Sequence, residues 1–421
     1  MTNQQLALQF FLQLAVILVV CKVVGGLIAR VGQPQVVGEM VAGILLGPSL
    51  LGWIAPSLQA TLFPPQTHSI MSVVSQLGLV LYMFVVGTHV ETDFFKRSVR
   101  GAMLISITGI VAPFILGAVL ASFLFSDGRF FASNVSSLQS MTYLGAAMSV
   151  TAFPVLARII QERGIAGTAL GTLTLAAGAV DDAVAWCLLA LVLAGFKQDF
   201  GPAGWAILGG AAYVVVVLVV LRSQLRKLGT AVEQDGSLSI GKLTLLLTLL
   251  LAGAWFTDFI GVHAVFGAFI MGVAMPRGLL TRAIARQIEP LATALLVPLF
   301  FAYSGLSTRL TLLWSMDLLL LAIVVIVVAS VGKGVACWAA SRVAGRPNTE
   351  ALAIGALMNA RGLMELIMLN IGLERGLITP TLFTVMVVMT LVTTLAAGPM
   401  FAWVWRGVPP EVPDAPGVTV R

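Results

Sequence analysis

Charge is scarce in this sequence: Asp, Glu, Lys and Arg together make up 10% of 421 residues, while hydrophobic residues make up 59%. A chain so poor in charge cannot cover itself with a water-facing surface, which excludes an ordinary soluble domain. Histidine and cysteine are also rare, with three of each. Cys21, Cys187 and Cys337 all fall within apolar runs, so no extracellular disulfide framework is indicated. No His-rich metal set or Ser–Lys dyad stands out, which leaves an intramembrane enzyme without machinery, and no cofactor or structural metal is called for. The opening segment MTNQQLALQF lacks a basic n-region, and no small-residue cleavage site follows the first apolar run, so it reads as a retained span.

Long hydrophobic runs are what the chain has instead. Thirteen can span a bilayer as helices, from 7–30 to 380–405; the ninth, 261–276, is the shortest, and without it the tally is twelve. These runs predict an all-α polytopic membrane protein. Basic residues orient it. Of the 24 Lys and Arg, eighteen (Arg100, Arg226 and Lys227 among them) fall on one side when alternate loops are assigned. Four (Arg129, Lys197, Arg309 and Arg375) fall on the other, and two lie within spans. By the positive-inside bias the protein sits in the cell membrane with its N-terminus outside and C-terminus cytoplasmic. The pI of about 9.5 then follows from short cytoplasmic loops facing anionic lipid, with no nucleic acid required. The tail, 406–421, is short and Pro-rich.

Internal symmetry is the next signal. The fifth span, SVTAFPVLARII (149–160), is interrupted near Thr151 and Pro154, and the twelfth, MNARGLMELIML (358–369), near Asn359, Arg361 and Gly362. Spans two and nine share a spaced-glycine pattern, Gly38–Gly43–Gly47 and Gly267–Gly272, suited to close helix packing. Both pairings predict two repeats of six spans separated by a linker span. An even repeat with a one-span linker inverts the halves, and transporters of that plan bind their cargo where discontinuous helices meet.

Polar groups converge at that depth. Asp181 and Asp182 lie side by side in an otherwise apolar run, where one charge alone costs at least ~2.5–3.5 kcal/mol. A proton, a cation or a basic partner must neutralise them, and each is a candidate cargo or coupling element. Lys333, in VGKGVACW (331–338), is the basic candidate; a lysine buried among Val, Gly and Ala needs a carboxylate partner. Arg361 and Glu365, four residues apart, read as a structural pair on one helix face. His263 reads as a packing residue, and Glu39 as solvated near the inner interface.

The motifs VDDAVAW (180–186), SVTAFPVLARIIQERG (149–164), GVHAVFGAF (261–269), LLVPLFFAYSGL (295–306) and NARGLMELIMLNIGL (359–373) resemble the monovalent cation:proton antiporter superfamily. The similar branch holds bacterial sodium/proton and Kef-type exchangers and plant cation/proton exchangers. The resemblance implies a dimerisation or scaffold domain (1–98 and 240–310) and a core ion-transport domain (99–198 and 311–405). A linker helix and cytoplasmic loop (199–239) would join them, and the broken fifth and twelfth spans would cross near the aspartates. It implies that Asp182 ligates the cation and that Asp181 marks an electrogenic exchanger. It further implies that Lys333 is the partner Asp181 loses when cation arrives, and that Ser149 and Thr151 supply further oxygens. Kef-type members carry glutamine before the aspartate and a nucleotide-binding domain; neither stands in this sequence.

The expected function is secondary active exchange of a monovalent cation (sodium, lithium or potassium) for protons by alternating access, in a homodimer. A sodium-coupled organic-solute symporter shares the inverted-repeat plan but needs a larger polar pocket. A channel needs a continuous polar lining, and the spans show one polar cluster.

Overall fold

The computed structural model describes residues 2–30, 35–89, 92–197, 201–306 and 315–406. Among them the chain is helical, with turns and one isolated bridge between Phe131 and Ile378. Arg309 and the tail beyond Arg406 lie outside the described residues.

The first half runs through α1 (Asn3–Arg30), α2 (Gln35–Leu46), α3 (Pro65–His89), α4 (Thr92–Phe125), α5 (Ser137–Ser149), α6 (Phe153–Glu162) and α7 (Ala169–Lys197). Next, α8 (Gly201–Val215) passes through a π-helical turn, Val216–Leu221, into α9 (Arg222–Asp235). The second half comprises α10 (Ile240–Phe259), α11 (Ala264–Ala274) and α12 (Leu279–Leu291), which continues through a π-helical turn, Ala292–Leu296, into α13 (Val297–Leu306). Then follow α14 (Met316–Val343), α15 (Asn348–Met358), α16 (Leu363–Glu374) and α17 (Pro380–Val404). Ten helical segments among the described residues are long and apolar enough to cross a membrane; α11, with 11 residues, falls short. The chain is a multi-pass membrane protein.

Local chemistry sets the ends that matter. Ser136 and Gln139 form a capping box that starts α5. Pro154, in the first turn of α6, cannot accept a continuing helix from α5, so the two are separate pieces with Val150–Ala152 between them. Thr379 caps α17 by accepting from the Leu382 amide.

Two packing groups result. In one, α4 lies against α5, α7 and α14, and α14 against α15 and α17. In the other, α1 packs on α2, α2 on α13, α3 on α11 and α11 on α10. The groups touch where α2 and α3 meet α6, where α11 meets α7 and where α13 meets α16. The most apolar stretch of α5–α6 is wholly buried, whereas that of α1 is 22% buried and that of α14 is 28%. Residues such as Phe11 and Val19 on α1, and Ile323 and Val327 on α14, therefore face outward, where acyl chains replace water.

The spaced glycines stand where backbones approach. A Cβ on Gly43 would strike the backbone of Ala302 in α13, and one on Gly272 would strike Phe84 O and Gly87 Cα of α3. Rigid main chain cannot yield as a side chain does. Gly272→Ala should thus cost about 1–3 kcal/mol and lower the thermal midpoint by several degrees. Gly241→Ala, with nothing among the described residues within 4 Å, should be neutral or slightly stabilising. Equal melting of the two variants would contradict the close approach of α3 and α11.

Candidate ion site at the crossing of two broken helices

The fifth and twelfth spans are both interrupted, as their sequences predict. Helix α5 ends at Ser149 and α6 begins at Phe153; α15 ends at Met358 and α16 begins at Leu363. The two breaks meet: the Ala152 amide donates to Ala360 O at 3.1 Å. Gly362 fits the crossing closely, since a Cβ there would lie 3.0 Å from Val155 Cγ2 and 3.3 Å from Ala152 Cβ.

Each break leaves helix-end groups without intrahelical partners. At the end of α5, two cations take up the carbonyls. Lys333 Nζ donates to Ser149 O, and Arg361 Nη2 donates to Met148 O at 2.6 Å. Cations suit this end, where the helix dipole is negative. At the opposite polarity, Glu365 occupies the first turn of α16. Arg361 Nη1 lies 3.4 Å from Glu365 Oε1, and both side chains are fully buried. Thr394 of α17 closes the turn, accepting from the Arg361 amide at 3.1 Å and donating to Arg361 O.

The aspartates lie at the middle of α7, and their surroundings differ sharply. Asp181 is fully engaged: Ser106 Oγ donates to Oδ1 at 2.6 Å, while Thr151 Oγ1 at 2.6 Å and Lys333 Nζ at 2.7 Å donate to Oδ2. Asp182 is wholly buried, and neither carboxylate oxygen has a hydrogen-bond partner among the described residues. Asn359, in the twelfth-span break, is likewise buried with both amide atoms unpartnered. A buried carboxylate with no donor is costly unless something else neutralises it. One carboxylate is thus already balanced by a lysine, and the other is free to take a proton or a hard cation.

The structure brings Asp181, Lys333, Thr151 and Ser149 together, and pairs Arg361 with Glu365. Ser149 takes part through its carbonyl, because its hydroxyl bonds back to Ala146 O at 2.8 Å. Arg361 does more than pair with Glu365, since it also holds the end of α5. Ser106 and Thr394 were missed by sequence reasoning; their only signal is a hydroxyl inside an apolar span, which usually bonds its own helix. Glu39 corrects an expectation. It is fully buried rather than solvated, because α2 packs against α6, where Arg158 Nη2 lies 3.7 Å from Glu39 Oε1.

Known proteins resemble this chain in sequence and in fold. The Na(+)/H(+) antiporter NhaS4 of Synechocystis sp. is 40% identical over 389 residues, which cover 91% of this chain and 94% of the relative. Cation/H(+) antiporter 17 of Arabidopsis thaliana is 34% identical over 398 residues, 94% of this chain but 48% of the relative, so the chain spans about half of that protein's length. Among solved structures, the sodium proton antiporter MjNhaP1 from Methanocaldococcus jannaschii has the same fold. The two superimpose with a TM-score of 0.66 over 95% of this chain and 98% of that one, at 15% identity. With residues 14–407 also matched by the model for transmembrane sodium/hydrogen exchangers, the chain belongs to the sodium/hydrogen exchanger family.

Proposed function

We propose that the protein is a secondary active antiporter that exchanges a monovalent cation, sodium or potassium, for protons across the cell membrane. Asp182 carries the reading: it is a fully buried carboxylate with no donor among the described residues, beside one that a lysine already balances. An unhydrated cation binds Asp182 with oxygens of the helix breaks, among them Thr151 Oγ1. Protons displace it by neutralising the same carboxylate, so the site holds one cargo at a time. The core domain (99–198 and 311–405) then moves against the scaffold (1–98 and 240–310) and exposes the site on the other face. The scaffold forms the homodimer, and the N-terminus lies outside. An organic-solute symporter gains nothing from this site, whose hydroxyl protons and basic groups are committed to Asp181 and the end of α5.

Asp181 and Lys333 make the cycle electrogenic. When cation enters, Asp181 can turn to it and leave Lys333, which then gives up its proton; when cation leaves, Lys333 takes a proton back and restores the pair. One proton on Asp182 and one on Lys333 make two protons per cation and a net movement of charge. Voltage is worth ~2.3 kcal/mol per charge per 100 mV. In proteoliposomes, a clamped potential should therefore drive labelled sodium or potassium without a pH gradient, and Asp181→Asn should lose that response first. A pH gradient at zero potential should drive the same ions. Flux indifferent to voltage would make the exchanger electroneutral, and flux indifferent to pH would remove antiport altogether.

A further inference from the structure

A second polar cluster lies away from the ion site, on the far end of α6. Here three contacts tie α6 to α2 and α3. Arg158 Nη2 lies 3.7 Å from Glu39 Oε1, the Gln35 amide donates to Glu162 Oε2, and Tyr82 OH donates to Gln161 Oε1 at 2.7 Å. Arg158 Nε also sits 2.7 Å from Glu162 Oε1 one turn along. Glu39 and Tyr82 are fully buried, and Arg158 is 9% exposed. This is more polar chemistry than packing two apolar helices requires, and buried polar partners cost a good deal when parted.

The location gives the cluster its meaning. Helix α6 is ten residues long, and the break that starts it holds Thr151 on Asp181. Its other end, with Gln35 of α2, lines a cavity of about 1010 Å³. Lys22 and Glu289 also border that cavity, which the basic loops place on the cytoplasmic side. One rigid piece thus joins the ion site to the cavity, and its outer end is fastened to helices of the other packing group.

We infer that Glu39, Tyr82 and the Gln35 amide form a polar latch on α6 that holds the protein with the cytoplasmic cavity open. The latch rests on the alternating-access reading above. Glu39 and Tyr82 are positioning residues: they touch no cargo and act on the site through α6. Sliding the core against the scaffold requires the three contacts to part together, which gives the transporter two discrete positions instead of a continuum. Weakening the latch lowers the share of molecules in the open-cavity state, because only that state contains its contacts.

Thr293→Cys places a thiol on the wall of this cavity. Its labelling by a membrane-impermeant reagent applied from the cytoplasmic face, corrected for the native cysteines, reads the open population. Tyr82→Phe removes one hydroxyl; the ratio of open to closed molecules, read from labelling relative to a fully accessible thiol, should fall about five-fold, the equilibrium weight of one hydrogen bond. Glu39→Gln should lower it further, and the apparent KM for cation from that face should rise with it while melting changes little for Tyr82→Phe. Unaltered labelling in Tyr82→Phe overturns the latch, whatever becomes of Glu39→Gln. So does a fall in labelling matched only by unfolding. Wild-type exchange in the same vesicles is the separate control: its absence defeats the antiport reading, whereas its presence with unaltered labelling defeats the latch alone.

Discussion

Asp182→Asn is expected to reduce cation-dependent proton movement to the level of protein-free vesicles, while the protein still folds and inserts. Asparagine keeps the volume of the side chain but can neither release a proton nor balance a cation. Folding should survive because Asp182 makes no hydrogen bond among the described residues that the change would break. Replacing this buried carboxylate by a neutral amide should even raise the thermal midpoint, since the cost of burying charge disappears. Fluorescence dequenching on adding sodium or potassium, run beside a thermal melt, checks both halves. Normal exchange by this variant would remove Asp182 from the mechanism.

The second large effect concerns Lys333. Its ammonium lies 2.7 Å from Asp181 Oδ2 and also holds Ser149 O, with both charged side chains wholly buried. Lys333→Gln removes the charge that balances the buried Asp181, leaving it two hydroxyl donors, and frees Ser149 O at the end of α5, where Arg361 still holds Met148 O. Breaking such a pair from one side costs about 3–5 kcal/mol. Asp181→Asn strands the lysine in the same way, but the double variant leaves two neutral groups that can hydrogen-bond. Its loss should therefore fall short of the sum of the single losses by about 1–3 kcal/mol. Thermal melts of the four proteins give that difference, and strict additivity would show that the pair contributes no coupling.

Much of this was legible in the sequence because a bilayer penalises polarity so heavily. The lone Lys333 and the adjacent Asp181 and Asp182 had few partners to choose from, and the expected pair is the one observed. The interruption of span five was readable from Pro154, and that of span twelve from Asn359–Gly362. Ser106 was not readable. It occupies an ordinary position in α4, and only the packing of α4 on α7 brings it to Asp181. The second task of Arg361 was hidden for a similar reason: Glu365 is its neighbour along the chain, while Met148 is 213 residues away and arrives only when the breaks cross. Glu39 was misread because its distance from a span end says nothing about what covers it; α6 does.

Competition between cation and proton for Asp182 is tested most directly by the apparent KM for sodium or potassium at a series of pH values with the potential clamped at zero. A ligand that must be deprotonated binds less tightly as protons fill it. The apparent KM should rise as pH falls, approaching about tenfold per pH unit for one competing proton, with the maximal rate at saturating cation nearly constant. A KM that stays fixed while the maximal rate collapses would mean that protons act elsewhere and that the two cargoes do not share the site.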